Sequence, residues 1–170
     1  LLEQGDPAAA AVLAAQAVAD MRNAFGASEY TASALATEAM ALNGLAQHDR
    51  AQALLDECLA MLATLPETEA VRKTRTSART TLLRVANARG DYGTALRIGQ
   101  ANIAERTALF GADSFRVAVD YNNLAMTLQR LGRLAESETA LQRARDLLNR
   151  DPNKSSARLA ALDVSLCQLQ

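Results

Sequence analysis

Side chains able to do chemistry are sparse and scattered in this sequence. It has one histidine, His48, and two cysteines, Cys58 and Cys167. A catalytic histidine needs a partner and a pocket, and His48 stands between Gln47 and Asp49 in what reads as an exposed turn. There is no second histidine for a metal site. Cys58 and Cys167 fall in apolar stretches of helical pattern, so both read as small core residues rather than reactive thiols. Gly90-Asp91-Tyr92-Gly93 lacks the lysine and the strand context of a phosphate loop. Gly111-Ala112-Asp113-Ser114 reads as a junction between helices, not a nucleophile elbow. No catalytic residue, metal site or cofactor is expected, and no enzyme.

The polar signal that remains is a cluster of cations. Arg72, Lys73, Arg75, Arg79, Arg84 and Arg89 lie in one predicted helix. They are spread around it, so part of the run is a solvated face. The sharper alternative is a positive wall for an acidic peptide. Nucleic acid is not expected, because the formal net charge is −1 and no aromatic stacking platform lies beside the cations.

The elements that must carry these residues are helices. A chain of 170 residues fits about one domain, and 49% apolar content permits a sizeable core. Only 4% is aromatic, so the apolar fraction is mostly Ala and Leu, the composition of close-packed helices. Two cysteines are too few for a disulfide framework. No run of about 18 apolar residues is present, so no membrane span or membrane partner is expected. The chain opens Leu1-Leu2-Glu3 with no basic leader, and it reads as a piece cut from within a longer repeat array. Thiols without a framework, and no export signal, favour the cytoplasm.

About eight helices are expected. Asp6 and Pro7 start the first, which runs to about Asn23. Gly26 and Ser28 separate it from a second, which ends near Leu45. The third covers about Arg50 to Leu62. Pro66 breaks the pattern, Thr64 or Glu67 lies near the next start, and a fourth covers roughly Thr68 to Ala88. A fifth ends at Phe110-Gly111, Asp113 caps a sixth that reaches Leu131, and Gly132 turns the chain into a seventh. Asp151-Pro152-Asn153 precedes an eighth, 155–169.

The spacing of the turns organises them. Gly90 and Gly132 are 42 residues apart, Gly5 and Gly90 are 85 apart, and Phe25-Gly26 recurs 85 residues later as Phe110-Gly111. A fixed period of one helical hairpin means a solenoid. The units are a half repeat at 5–24, repeats at about 28–64, 68–109 and 112–149, and the terminal helix, all in one domain over 1–170. Small residues at Ala125 and Ala144 allow close helix approach. Tyr121, Leu124, Leu128, Leu134 and Leu141 are expected to fill the space between the helices.

Tyr121, Leu124, Ala125 and Leu128, followed by Gly132, Leu134, Ser137, Leu141 and Ala144, resemble the tetratricopeptide repeat. Ser137 stands where that family usually has Ala. The 42-residue period and the Asn122-Asn123-Leu124-Ala125 run are more similar to the long repeats of the kinesin light chain subclass. Leu82, Gly90, Tyr92 and Ala95 fit a second copy, from which Gly99 and Asn102 depart. Ala46, Ala51, Leu55 and Cys58 fit another, in which Glu38 replaces the expected Leu.

The resemblance implies an all-α, right-handed α-solenoid of stacked antiparallel hairpins whose first helices line a concave groove. Transferred by position, the groove takes Val119, Asn122, Asn123, Met126, Gln129 and Arg130 from the best copy. It takes Ser77, Thr80, Thr81, Arg84 and Asn87 from the copy before, and Thr37, Met40 and Asn43 from the one before that. Asn side chains offer donors and acceptors to an extended peptide backbone, and Arg84 and Arg130 suit an acidic group. The plainer alternative is that the Asn pair ties neighbouring helices and the arginines are solvated. The implied function is a non-catalytic scaffold for a peptide or partner protein. The resemblance places such repeats in regulatory or sensory parts of larger bacterial signalling proteins, including kinases and transcription regulators. The alternative is a spacer or self-association module, possible as a homo-oligomer.

Overall fold

A computed structural model describes residues 7–150. Seven α-helices fill them and no strand occurs among the described residues: α1 (Pro7–Phe25), α2 (Glu29–Gly44), α3 (His48–Ala63), α4 (Glu69–Ala88), α5 (Tyr92–Phe110), α6 (Phe115–Arg130) and α7 (Leu134–Arg150). The expected helix at 155–169, the turn at Gly5 and Asp6, and Cys167 lie outside the described residues.

The helix ends follow from local chemistry. Pro7 occupies the first position of α1, where its missing N–H costs nothing. Ser28 caps α2 by accepting from the Thr31 N–H at 3.2 Å, and the Thr31 hydroxyl donates back to the Gly26 carbonyl at 2.7 Å. Thr68, rather than Thr64 or Glu67, caps α4 through the Val71 N–H at 3.2 Å. Asp91 caps α5 through the Thr94 N–H at 3.1 Å. The cap of α6 is Ser114, which accepts from the Arg116 N–H at 3.3 Å. Asp113 is displaced from that role and instead accepts from Arg150 at 2.8 Å.

Two compact units divide the chain, residues 1–89 and 90–170. In the first, α2 packs on α1, α3 and α4, and α3 on α4. Its core includes Leu35, Leu42, Leu55, Leu62 and Val85, with Ala32, Ala39 and Ala51 where helices approach closely. The Cys58 thiol lies in this core and donates to the Ala32 carbonyl at 3.1 Å. In the second unit, α6 packs on α5 and α7. Leu124, Leu128, Leu141, Leu147 and Leu148 fill the space between them around Ala125 and Ala144. The buried Ser137 hydroxyl donates to the Ala125 carbonyl at 2.9 Å, so it takes an Ala position while satisfying its own proton. Arg106 of α5 reaches the buried Asp120 of α6 at 3.3 Å.

Leu134 does not join this packing and is 52% exposed. Helical side chains lean toward the N-terminus, so a residue at the first position of α7 leans off its end.

Buried positions of α2–α3 and α6–α7 correspond at a spacing of 86 residues: Ala32 with Ala118, Ala39 with Ala125, Leu42 with Leu128, Leu55 with Leu141, Cys58 with Ala144, and Leu62 with Leu148. The spacing is 85 at Phe25-Gly26 and 86 from Ser28 onward, because the joint at 111–114 carries one residue more than that at 26–28. Glu38 corresponds to Leu124, as the repeat pattern expects, and both are buried.

Candidate functional site

In the first unit, the faces of α2 and α4 that carry the expected groove residues enclose a depression of about 260 Å³. It is lined by Ser33, Ala36, Thr37 and Met40 of α2, and by Lys73, Thr74, Ser77 and Thr81 of α4. Helical spacing accounts for the set. Residues 33, 37 and 40 share one face of α2, and 73, 77 and 81 share one face of α4. Four of the expected residues, Thr37, Met40, Ser77 and Thr81, therefore converge on one feature. Ser33, Ala36, Lys73 and Thr74 complete it, and the signal for them was the same face continued one turn toward each helix's N-terminus.

The expected residues differ in how they are held. Thr37, Ser77 and Arg84 are exposed, Met40 is 37% exposed, and Thr81 is only 5% exposed. The Thr80 hydroxyl is spent on the Thr76 carbonyl at 2.9 Å. Asn43 is half-buried, and its Oδ1 lies 3.2 Å from Nδ1 of His48, the first residue of α3 rather than a turn residue. Asn43 thus ties α2 to α3. Asn87 is half-buried near the end of α4.

Three of the six cations in the run sit in ion pairs. Arg75 makes a bidentate pair with Glu67, one arm at 3.0 Å. That hydrogen bond, more than the surrounding charge, holds the Glu67 carboxyl below its usual range. Lys73 lies 2.5 Å from Glu69, and Arg89 lies 2.7 Å from Asp49. Arg84 makes no ion pair among the described residues.

In the second unit, Asn122, Asn123, Val119 and Gln129 of α6 are half-buried, while Met126 (53%) and Arg130 are exposed. The Asn123 carbonyl accepts from Thr127 at 3.1 Å. A depression of about 380 Å³ lies elsewhere on α6, among Leu96, Tyr121, Leu124, Leu128 and Ala140, with Arg143 at its edge. Among the described residues, no group of three or more His, Cys, Asp or Glu side chains could hold a metal ion. No helix there is long and apolar enough to cross a membrane.

Helix pairs joined by short turns, with small residues at the contacts and a repeating burial pattern, define a helical-repeat protein. Residues 77–150 match the family model of the tetratricopeptide repeat, a repeat that generally mediates protein–protein interaction. The fold is similar to the crystal structure of BtubC (BKLC) from P. vanneervenii, with a TM-score of 0.79 at 18% identity. The likeness covers 96% of this chain and 65% of that one, so this chain spans under two thirds of the similar structure. None of the curated proteins compared matches the chain.

Proposed function

We propose that this protein holds a peptide, or an extended segment of a partner protein, against the face that α2 and α4 present in the first unit, as a regulatory or sensory part of a larger protein. The observation that carries this reading is the depression between α2 and α4. It gathers Thr37, Met40, Ser77 and Thr81 on a face that the core leaves uncovered. Arg84 follows Thr81 by three residues on that face of α4, exposed and without an ion pair among the described residues, which suits an acidic group on the ligand. Asn122 and Asn123 offer both donors and acceptors to a peptide backbone on α6.

The test is a peptide array probed with the full chain. Binders are expected whose affinity falls about tenfold in Asn122→Ala or Arg84→Glu, the loss of one or two charge-assisted or buried hydrogen bonds. Binders indifferent to both changes would remove the groove reading.

The second reading is self-association or spacing of other domains. It is supported by α1, an Ala-rich helix that exposes Val12 (71%) and Leu13 (57%). Sedimentation separates the two.

A further inference from the structure

The chemistry of the depression between α2 and α4 narrows what it would accept. Five hydroxyls surround it, from Ser33, Thr37, Thr74, Ser77 and Thr81, beside the apolar Ala36 and Met40. A hydroxyl has one proton to donate and two lone pairs to accept with. The Thr37 proton is committed to the Ser33 carbonyl at 2.9 Å, and the Thr74 proton to the Glu29 carboxylate at 2.7 Å. These two offer only lone pairs to a ligand. The side-chain hydroxyls of Ser33, Ser77 and Thr81 make no hydrogen bond among the described residues and can donate or accept. Thr81 is the telling one, because the residue is 5% exposed and lines the cavity, and a ligand that closed over it would have to partner its hydroxyl.

We propose that this depression is a subsite for an uncharged carboxamide side chain, Asn or Gln, of the bound peptide. The proposal rests on the reading of this face as peptide-binding. A carboxamide brings two N–H donors and one carbonyl acceptor, which matches two acceptor-only hydroxyls and three that serve either way. A carboxylate brings acceptors alone. It would face the lone pairs of Thr37 and Thr74, with the Glu29 carboxylate one hydrogen bond behind the wall. The ammonium of Lys73 that could offset this is held 2.5 Å from Glu69. An apolar side chain would leave the Thr81 hydroxyl buried beside it. An acidic ligand residue therefore belongs beside Arg84, and the carboxamide belongs in the depression.

Selection of a displayed library of seven-residue peptides against the full chain tests this. Asn or Gln should be enriched at one register position. Thr81→Val, which exchanges the hydroxyl for a methyl of similar shape, should erase that preference and weaken a selected Gln peptide at least tenfold. Thr81→Ser should restore it, and a Gln-to-Glu change in the peptide should weaken it equally. Far-UV circular dichroism of Thr81→Val controls for folding. Enrichment of Asp or Glu at that position, or a Gln peptide indifferent to a folded Thr81→Val, overturns the proposal. Peptides that respond to Asn122→Ala or Arg84→Glu but not to Thr81→Val leave the groove reading standing and remove the carboxamide. Selection of no peptide removes both.

Discussion

Burial pushes the Cys58 thiol up from its ordinary 9.0 to about 12, with the charge of Glu57 adding to the effect. The proton that remains is donated to the Ala32 carbonyl. In a Cys167→Ser background, native protein at pH 8 should react with a thiol reagent roughly a hundredfold more slowly than protein unfolded in urea, because only the exposed thiolate attacks. The linkage has a definite sign. Between pH 9 and about 12 the native thiol keeps a proton that the unfolded chain has released, so stability falls as pH rises through that window. Urea titrations at pH 8 and pH 10 should show a lower midpoint at pH 10, and Cys58→Ala should remove that part of the difference. The core role of Cys58 was legible in the sequence, because the small-residue position of a repeat helix is apolar and tight. The depth of Thr81 was not. Spacing assigns a residue to a face, but burial depends on how closely the neighbouring helix approaches, and no spacing within α4 encodes where α2 lies. For the same reason Asn43 read as a groove residue, although the next helix begins near enough for His48 to reach it.

At the scale of elements, the ends of α2 and α6 close alike. The Ala46 N–H bonds the Asn43 carbonyl and the Gln47 N–H bonds the Leu42 carbonyl, at 3.1 and 2.9 Å. Gly132 and Arg133 do the same with Gln129 and Leu128, both at 2.9 Å. This closure needs a left-handed residue, usually glycine. Gly132 supplies it at φ +73°, as Gly90 does after α4 at φ +79°, but α2 uses Ala46 at φ +58°. An L side chain pays about 1–2 kcal/mol there. Ala46→Gly should therefore raise stability by roughly 0.5–1 kcal/mol after the added freedom of the unfolded chain is subtracted. Urea denaturation would register it, and a loss of stability would contradict this account of the turn. The helices themselves were legible to within a few residues, since apolar periodicity and glycine punctuation reinforce each other. The turn at Ala46 was displaced toward His48 because no glycine marks it. Asp113 was preferred as a cap over Ser114 because both are good N-cap types, and the arginine that draws Asp113 away comes from the far end of α7.

For the whole molecule, the period was readable because glycines mark it, and the fold class followed from it. A function was readable only as far as the resemblance to a repeat family suggests one, since a binding partner is complementary to a surface and leaves no motif of its own. Whether the exposed face of α1 pairs with a second copy is a question for sedimentation velocity. Under the groove reading, the sedimentation coefficient should not change with protein concentration. A dimer that disappears in Leu13→Glu would establish the self-association reading instead.

The pair between Arg106 and Asp120 bears on a hazard particular to chains built from near-copies, which is that one copy takes another's place. At the spacing of 86 residues, Asp120 answers to Ala34 and Arg106 to Asp20. If α6 settled in the berth of α2, the carboxylate would arrive where no guanidinium waits, and Arg106 would be stranded without its anion. Breaking a buried pair in this way costs about 3–5 kcal/mol, a large fraction of what holds a domain folded. The ion pair thus weighs against such an exchange, alongside the other positions at which α2 and α6 differ.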